Sequence, residues 1–479
     1  ENLAQREQIS GSADWLLGKK KKEDASAAQR PTLKAIKDKV IPTLIEACDD
    51  KFFDVRAAAV IALGKAGDKE VLPKLQEVLA DTHTGKGRQL VKRPQEVPFR
   101  TRSFAAVGLG MIGDSSAVPG LLGIADPRRK EANKDVPISA IVGLGIMGSA
   151  AKDAVGPLTD ILSNPKVDDF TRSYVATSLG KIGDPAAVPV LRKSLRDKSL
   201  HVKRSAIIAL GLLATSEDSI TVNILKNEVR KGADPQGRNW ACISLAKIGG
   251  PEAEKTLKEV VVSKTGSAQA FGALSLAILA RNAGEPSIAS EYLLDGMKKV
   301  KDQSVKGAFA ISLGIIQDKR AESDLVQLML GNNSPSLRGY AAVALGMMRA
   351  RATIPQIKQV VKERVKDPDL QRAAATSLGL MGDNDVVNVL SEVIDAAKTE
   401  YVQSSAALAL GFIGDYTAID VLTKMIKDKQ GTADLARAQA TVALGVVAED
   451  ELLPVMHIIA VDNNYRALVE SMQELLTIT

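Results

Sequence analysis

The chain has 479 residues, with 63 Lys and Arg against 57 Asp and Glu and a formal charge of +6. This length accommodates several globular domains or one extended repeat array. So mild a basic excess excludes a protein built to coat nucleic acid, and aromatic residues at 3% leave little material for stacking bases or sugars.

Two distant cysteines, Cys48 and Cys242, exclude a disulfide framework and a thiolate zinc cluster. His83, His201 and His457 are scattered, with no HExxH spacing, and read as single surface or packing histidines. No metal and no cofactor is therefore expected. Lys, Asp or Gly interrupts every apolar run before it reaches membrane-spanning length. The chain begins at Glu1 rather than Met, which removal of a targeting peptide would explain. The expectation for compartment is open: soluble, cytoplasmic or exported.

Residues 1–39 read as a helical, basic capping region whose Lys19–Lys22 run is followed at once by Glu23 and Asp24. A solvated surface is the simplest account of that run. From residue 40 to 463 one phrase recurs: an Ala-rich run, Leu-Gly, an apolar pair, then Gly-Asp or an equivalent break. Clear copies are RAAAVIALGKAGD (56–68), RSFAAVGLGMIGD (102–114), RSYVATSLGKIGD (172–184) and SSAALALGFIGD (404–415). The anchoring leucines are Leu63, Leu109, Leu144, Leu179, Leu210, Leu245, Leu276, Leu313, Leu345, Leu378, Leu410 and Leu444. All but the first gap lie between 31 and 37 residues, a period that marks a repeat array. Residues 464–479 close the chain as a helix with Leu468, Met472 and Leu475 on one face.

Each copy predicts two helices. In the first, Val55, Ala58, Ala59, Ala62 and Leu63 form an apolar stripe at helical spacing. A Gly after most anchors costs helix stability, about 1 kcal/mol each, which makes sense where a neighbouring backbone passes close. Gly67-Asp68, Gly113-Asp114 and Gly183-Asp184 mark the turn, Gly ending the first helix and Asp capping the second. Pro73, Pro119, Pro157, Pro189, Pro355 and Pro454 fall in the first turn of second helices, where a missing N–H is harmless. One hairpin cannot bury its apolar face, so copies must stack, which predicts an all-α superhelix of about 12 helical hairpins.

The phrase closely resembles HEAT repeats, including the PBS-lyase HEAT-like group, over residues 40–460. The resemblance implies a HEAT-like or armadillo-type solenoid with a recurring Arg seven residues before each anchor. Arg56, Arg102, Arg172, Arg238, Arg338 and Arg437 hold that place, Lys203 and Lys306 substitute for it, and Pro137, Gln269, Gln371 and Gln403 depart from it. These arginines are expected to form a structural ladder, met by loop acids such as Asp54 or Asp302.

The irregular places are the candidate binding regions. The first gap, 46 residues long, inserts 81–102 with Lys86, Arg88, Lys92, Arg93 and Arg100. A second polar extension, 126–135, carries Arg128, Arg129 and Lys130 and would enlarge the same positive patch. Second helices add Arg192, Lys193 and Arg196; Lys298 and Lys299; Lys358 and Lys362; and Lys424 and Lys427. The resemblance places second helices on the concave side, so these would form a discontinuous basic stripe along the groove. Neighbouring acids dilute that stripe, which favours an acidic protein surface over tight nucleic-acid binding.

No Ser-His-Asp grouping arises from three isolated histidines. The iron hydroxylase of this architecture would require repeated His-Glu pairs, and the sequence has none. Trp240 beside Arg238 is a core filler by the simplest reading. The expected function is a non-enzymatic protein-interaction scaffold or a structural subunit of a larger assembly, binding through its concave groove and irregular basic loops. The alternatives are a polyanion or nucleic-acid binder and, by resemblance, a bilin-lyase-like or lyase-chaperone protein.

Overall fold

A computed structural model of the chain describes residues 36–50, 52–80, 99–129, 131, 133–362, 368–381, 385–396, 400–413 and 416–447, and among these every regular element is helical. The tail 464–479, the last second helix with Pro454, and residues 1–35 lie outside the described residues. A short helix, α1 (Ile41–Ala47), comes first. The first helices of the repeats are α2 (Phe53–Ala66), α4 (Phe99–Ile112), α6 (Asp135–Ile146), α8 (Asp169–Ile182), α10 (Leu200–Leu213) and α12 (Pro235–Ile248). They continue as α14 (Gly266–Asn282), α16 (Gln303–Ile316), α18 (Pro335–Met347), α20 (Pro368–Met381), α22 (Glu400–Ile413) and α24 (Asp434–Val447). Every anchoring leucine falls inside one of these twelve.

Second helices alternate with them: α3 (Leu72–Leu79), α5 (Val118–Ala125), α7 (Val155–Ser163), α9 (Val188–Ser194), α11 (Ser219–Lys231) and α13 (Pro251–Ser263). The rest are α15 (Ser287–Lys299), α17 (Glu322–Leu330), α19 (Ile354–Lys362), α21 (Asp385–Ala396) and α23 (Tyr416–Lys427). Their amphipathic stripes face inward: Leu75, Leu79 and Leu191 are buried, as are Leu257, Leu293 and Leu325. The predicted insertion 81–102 is shorter than its sequence gap, because α4 begins at Phe99 and takes Arg100 and Arg102 into its first turn.

The turns follow from their residues. Gly67 and Gly183 end α2 and α8 with φ of 67° and 84°, a left-handed conformation that a side chain resists. Asp68, Asp114 and Asp184 then accept from the backbone N–H two residues on, at 2.9, 3.0 and 2.9 Å. They cap a single 3-10 turn that leads into the second helix, rather than the second helix itself as the sequence predicted.

The array divides into two compact units, one built from residues 36–213 together with 387–447 and the other from 214–386. In the first unit α2 lies between α4 and α24, so the last described helix covers the first repeat. The contact repeats a fixed register. A Cβ on Gly64 would stand 2.3 Å from Gly108 Cα, one on Gly110 2.6 Å from Gly143 Cα, and one on Gly411 2.9 Å from Ala443 Cα. Gly445 meets Ala62 Cα at 2.8 Å in the same way, as though repeat one followed repeat twelve. In the second unit Gly314 and Gly346 meet Ala344 and Ser377, each at 2.8 Å. The glycines are there because helix axes approach too closely for any side chain.

Candidate interaction surface

The repeat arginines lie at helix ends, where carbonyls lack intrahelical donors. Arg102 donates Nε to the Leu79 carbonyl at 3.0 Å, Arg338 to Met329 at 2.7 Å, and Arg437 to Ile426 at 3.0 Å. Arg172 reaches the Val167 carbonyl at 3.2 Å and Arg238 that of Gly232 at 2.6 Å, while Arg56 reaches Asp50 at 2.7 Å. Gln269, which departs from the family pattern in name, makes the same bond to Val261 at 3.1 Å.

Arg437 meets the nearby Asp434 at 3.3 Å, but the two acids that the sequence singled out do not meet the repeat arginines. Asp54 pairs with Arg100 of the next repeat at 3.1 Å, and Asp302 caps α16 through Ser304 and Val305. An acid two residues before an arginine lies on a different face of the helix, so it cannot reach. Three arginines instead find an acid thirteen residues before the following anchor. Arg102 holds both oxygens of Glu131 at 3.1 Å, Arg172 chelates Asp197, and Arg437 binds Asp50 at 2.6 Å. The last pair joins repeat twelve to repeat one and is fully buried at the arginine, with Asp50 only 5% exposed.

The basic loop residues are placed as follows. Lys86, Arg88, Lys92, Arg93 and Lys130 lie outside the described residues. Arg128, 90% exposed, grips its neighbour Asp126 at 2.7 Å, and Arg129 reaches Glu131 at 2.7 Å. With Arg100 and Arg102 also on carboxylates, the described members of the predicted patch are largely neutralised within the chain. The arginine bonds hold Glu131 below the usual carboxylate range, Arg102 first and against the opposing effect of burial.

The predicted basic stripe falls on both units. Arg192 is half-buried while Lys193, Arg196, Lys424 and Lys427 are exposed on the first; Lys298 and Lys299 are exposed and Lys358 half-buried on the second. Lys362 ends α19. Lys299 pairs with Asp295 one turn back at 3.1 Å.

Exposed apolar side chains escaped the sequence reading. On the second unit Ile220 and Ile224 of α11, Val262 of α13, Tyr292 of α15 and Leu330 of α17 are all exposed, Val262 to 71%. On the first, Phe170 stacks edge-on against Tyr174 at 5.1 Å and His201 at 6.3 Å, with Phe170 itself 49% exposed. The signal was present in the sequence, since Ile220 and Ile224 break the polar face of an otherwise amphipathic helix. Trp240, by contrast, is core and packs edge-on to Phe271 at 5.9 Å.

Burial pushes both thiols, Cys48 and Cys242, up to about 12, so neither is a nucleophile at neutral pH. Among the described residues no three His, Cys, Asp or Glu side chains are placed to hold a metal. His83, His201 and His457 are followed by Thr, Val and Ile, so the donor set does not fit an iron site built from His-Glu pairs. No described helix is long and apolar enough to cross a membrane.

Paired helices in register, with glycines at the crossings and an arginine ladder between repeats, define an all-α repeat solenoid. The sequence matches the family described as HEAT repeats over residues 20–93, 128–211 and 362–445, about half of the chain. The chain belongs to the HEAT-repeat family. Deoxyhypusine hydroxylase-B of Oryza sativa subsp. japonica is 23% identical over 220 residues, 45% of this chain and 68% of that protein. The complex of CpcE and CpcF of phycocyanin lyase from a Nostoc species is similar at 20% identity and a TM-score of 0.37, covering 58% of this chain and 99% of that one. Human deoxyhypusine hydroxylase, at 16% identity and a TM-score of 0.26, covers 72% and 96%; YibA of E. coli, at 16% and 0.34, covers 58% and 96%. Likenesses of this degree carry no inference about activity.

Proposed function

We propose that the chain is a non-catalytic scaffold that binds another protein across its second-helix surface. The observation that carries this reading is the run of apolar side chains left in water on four successive second helices of the second unit. Ile220 is 60% exposed, Val262 71%, Tyr292 37% and Leu330 43%. Single exposed apolar groups are ordinary on a protein surface, but their recurrence on four successive second helices meets no packing need of the stack and offers apolar anchors to a partner. The Lys258 ammonium lies over the Tyr292 ring at 5.3 Å. Lys298 and Lys299 are exposed in the last turn of the same helix as Tyr292, which suits a partner with an acidic rim around an apolar centre. In the family, second helices are expected on the concave side, which is compatible with this reading. The polyanion alternative has less support, because Arg100, Arg102, Arg128 and Arg129 already hold carboxylates of their own chain.

The test is native capture followed by mass spectrometry, with wild type beside Ile220→Glu and Val262→Glu combined. Both positions are exposed, so folding is retained. The double variant is expected to lose partners that the wild type holds at high salt. An unchanged set of partners, or release of all of them as salt rises, defeats the reading.

A further inference from the structure

Arg238 is unlike three of its counterparts. Arg102, Arg172 and Arg437 each hold a carboxylate of the adjoining repeat. Arg238 donates to the Gly232 carbonyl at 2.6 Å and, among the described residues, meets no carboxylate. The place that should supply one, thirteen residues before Leu276, is Ser263, and the next residues, 264–268, read Lys-Thr-Gly-Ser-Ala and contain no acid either. A cavity of about 320 Å³ lies at this junction, lined by Lys231, Arg238, Asn239 and Lys264 among others. Arg230 on its rim is engaged by Glu259 at 2.9 Å, and Glu228 lies against Gly232 and Gly237. Neither carboxylate lines the cavity.

Asn239 is the second, independent sign. Its side chain is 8% exposed, borders the cavity, and has no hydrogen-bond partner among the described residues. Its polar atoms are not sealed inside the fold, so the amide opens onto the cavity and is available to a ligand there. Lys231 and Lys264 likewise have no acidic partner among the described residues.

We propose that Lys231, Arg238, Lys264 and Asn239 form a binding site for a phosphate monoester. The ligand takes the place of the carboxylate that the other repeat interfaces carry. Those interfaces place a carboxylate on the arginine, whereas here the guanidinium and two ammonium groups line one cavity with no carboxylate on its wall, and a dianion matches them better. Its three terminal oxygens accept the guanidinium fork, two ammonium groups and the Asn239 amide together. The volume admits a phosphate with a small organic body. Cys242, on the same wall, stays a neutral thiol and takes no part.

This site goes beyond the scaffold reading and does not depend on it, because its test contains no protein partner. The full chain is titrated with inorganic phosphate by calorimetry at fixed ionic strength, with acetate as the carboxylate comparison. Saturable binding of one phosphate per chain, with acetate at least about tenfold weaker, is the expected result. Lys264→Glu supplies the missing internal carboxylate, so phosphate binding should disappear while the melting temperature holds or rises. Lys231→Ala should weaken phosphate about tenfold, and Lys298→Glu, an exposed lysine that does not line the cavity, should leave it unchanged. Glycerol phosphate and a phosphoserine pentapeptide then distinguish a small-molecule source from a modified protein, either outcome supporting the site. Non-saturating heats, equal binding of acetate, binding that survives Lys264→Glu, or an equal loss with Lys298→Glu overturns the proposal.

Discussion

Arg349 occupies the place where Gly67, Gly113 and Gly183 end other first helices, and it shares their positive φ, at 53°. A side chain in that conformation costs about 1–2 kcal/mol. Burial, and then Arg349 itself, lowers the pKa of the half-buried Arg281, so the residue repels a neighbouring cation as well. Arg349→Gly is expected to stabilise the chain by about 1 kcal/mol, read as an upward shift in the urea midpoint. Gln317 is the internal comparison. Its φ is 55°, but its side chain donates to the Met347 carbonyl at 2.9 Å, a bond worth about 1 kcal/mol. Gln317→Gly should therefore change stability little. If Arg349→Gly destabilises, strain is not what distinguishes these two turns. The Gly-Asp turns were legible because Gly announces a positive φ; Gln317 and Arg349 were not, since nothing local in Gln-Asp or Arg-Ala announces one.

The turn acids tie consecutive helical pairs together as elements. Asp114 accepts from the Lys69 ammonium at 2.7 Å and from Ser116, and these bonds hold its pKa at about 2. Arg320 holds Asp318 below its ordinary value, and Arg102 does the same for Glu131. A carboxyl depressed in the folded state contributes stability that is fully present above its unfolded value, about 4. That contribution is lost as pH falls toward the folded value. The melting temperature should thus fall steeply between about pH 4 and pH 2. Asp114→Asn keeps a cap acceptor but removes the titration, so it should melt lower at pH 6 while showing a shallower acid limb. An acid limb identical to that of wild type would show that Asp114 has no part in it.

Element existence was readable from the sequence throughout. The 3.6-residue spacing around each Leu anchor located all twelve first helices, and Pro73, Pro119, Pro189 and Pro355 fall at the second position of their helices. Partner choice was not readable. Arg102 and Glu131 stand 29 residues apart and Arg172 and Asp197 25, so their meeting depends on how one repeat sits on the next. The cavity beside Arg238 escaped for the same reason. A missing acid in 263–268 acquires meaning only when the other interfaces show where an acid belongs.

At the scale of the molecule, sequence order and spatial order part company in the first unit. Each interface uses the same Gly-on-small-residue contact, so nothing in the pattern says which repeat follows which. Gly445 seats on Ala62 as Gly411 does on Ala443. Arg437→Gln would leave the Asp50 carboxylate almost wholly buried, with the Lys429 ammonium 3.8 Å away. Breaking such a pair costs about 3 kcal/mol or more. Hydrogen exchange should then quicken in α24 and in α2 together, while α14 to α18 keep their protection. Exchange that rises in α24 alone would show that the two helices do not stabilise each other.

The Asp50–Arg437 bond spans 387 residues of chain. During synthesis, the first repeat leaves the ribosome long before the helix that covers it has been made. For that interval, the flank of α2 around Ala62 is a bare apolar surface made of small side chains, which a chaperone or a second nascent chain can occupy. Translation speed therefore acts on this protein at its beginning through its end: a pause late in the message prolongs the exposure of residues made first.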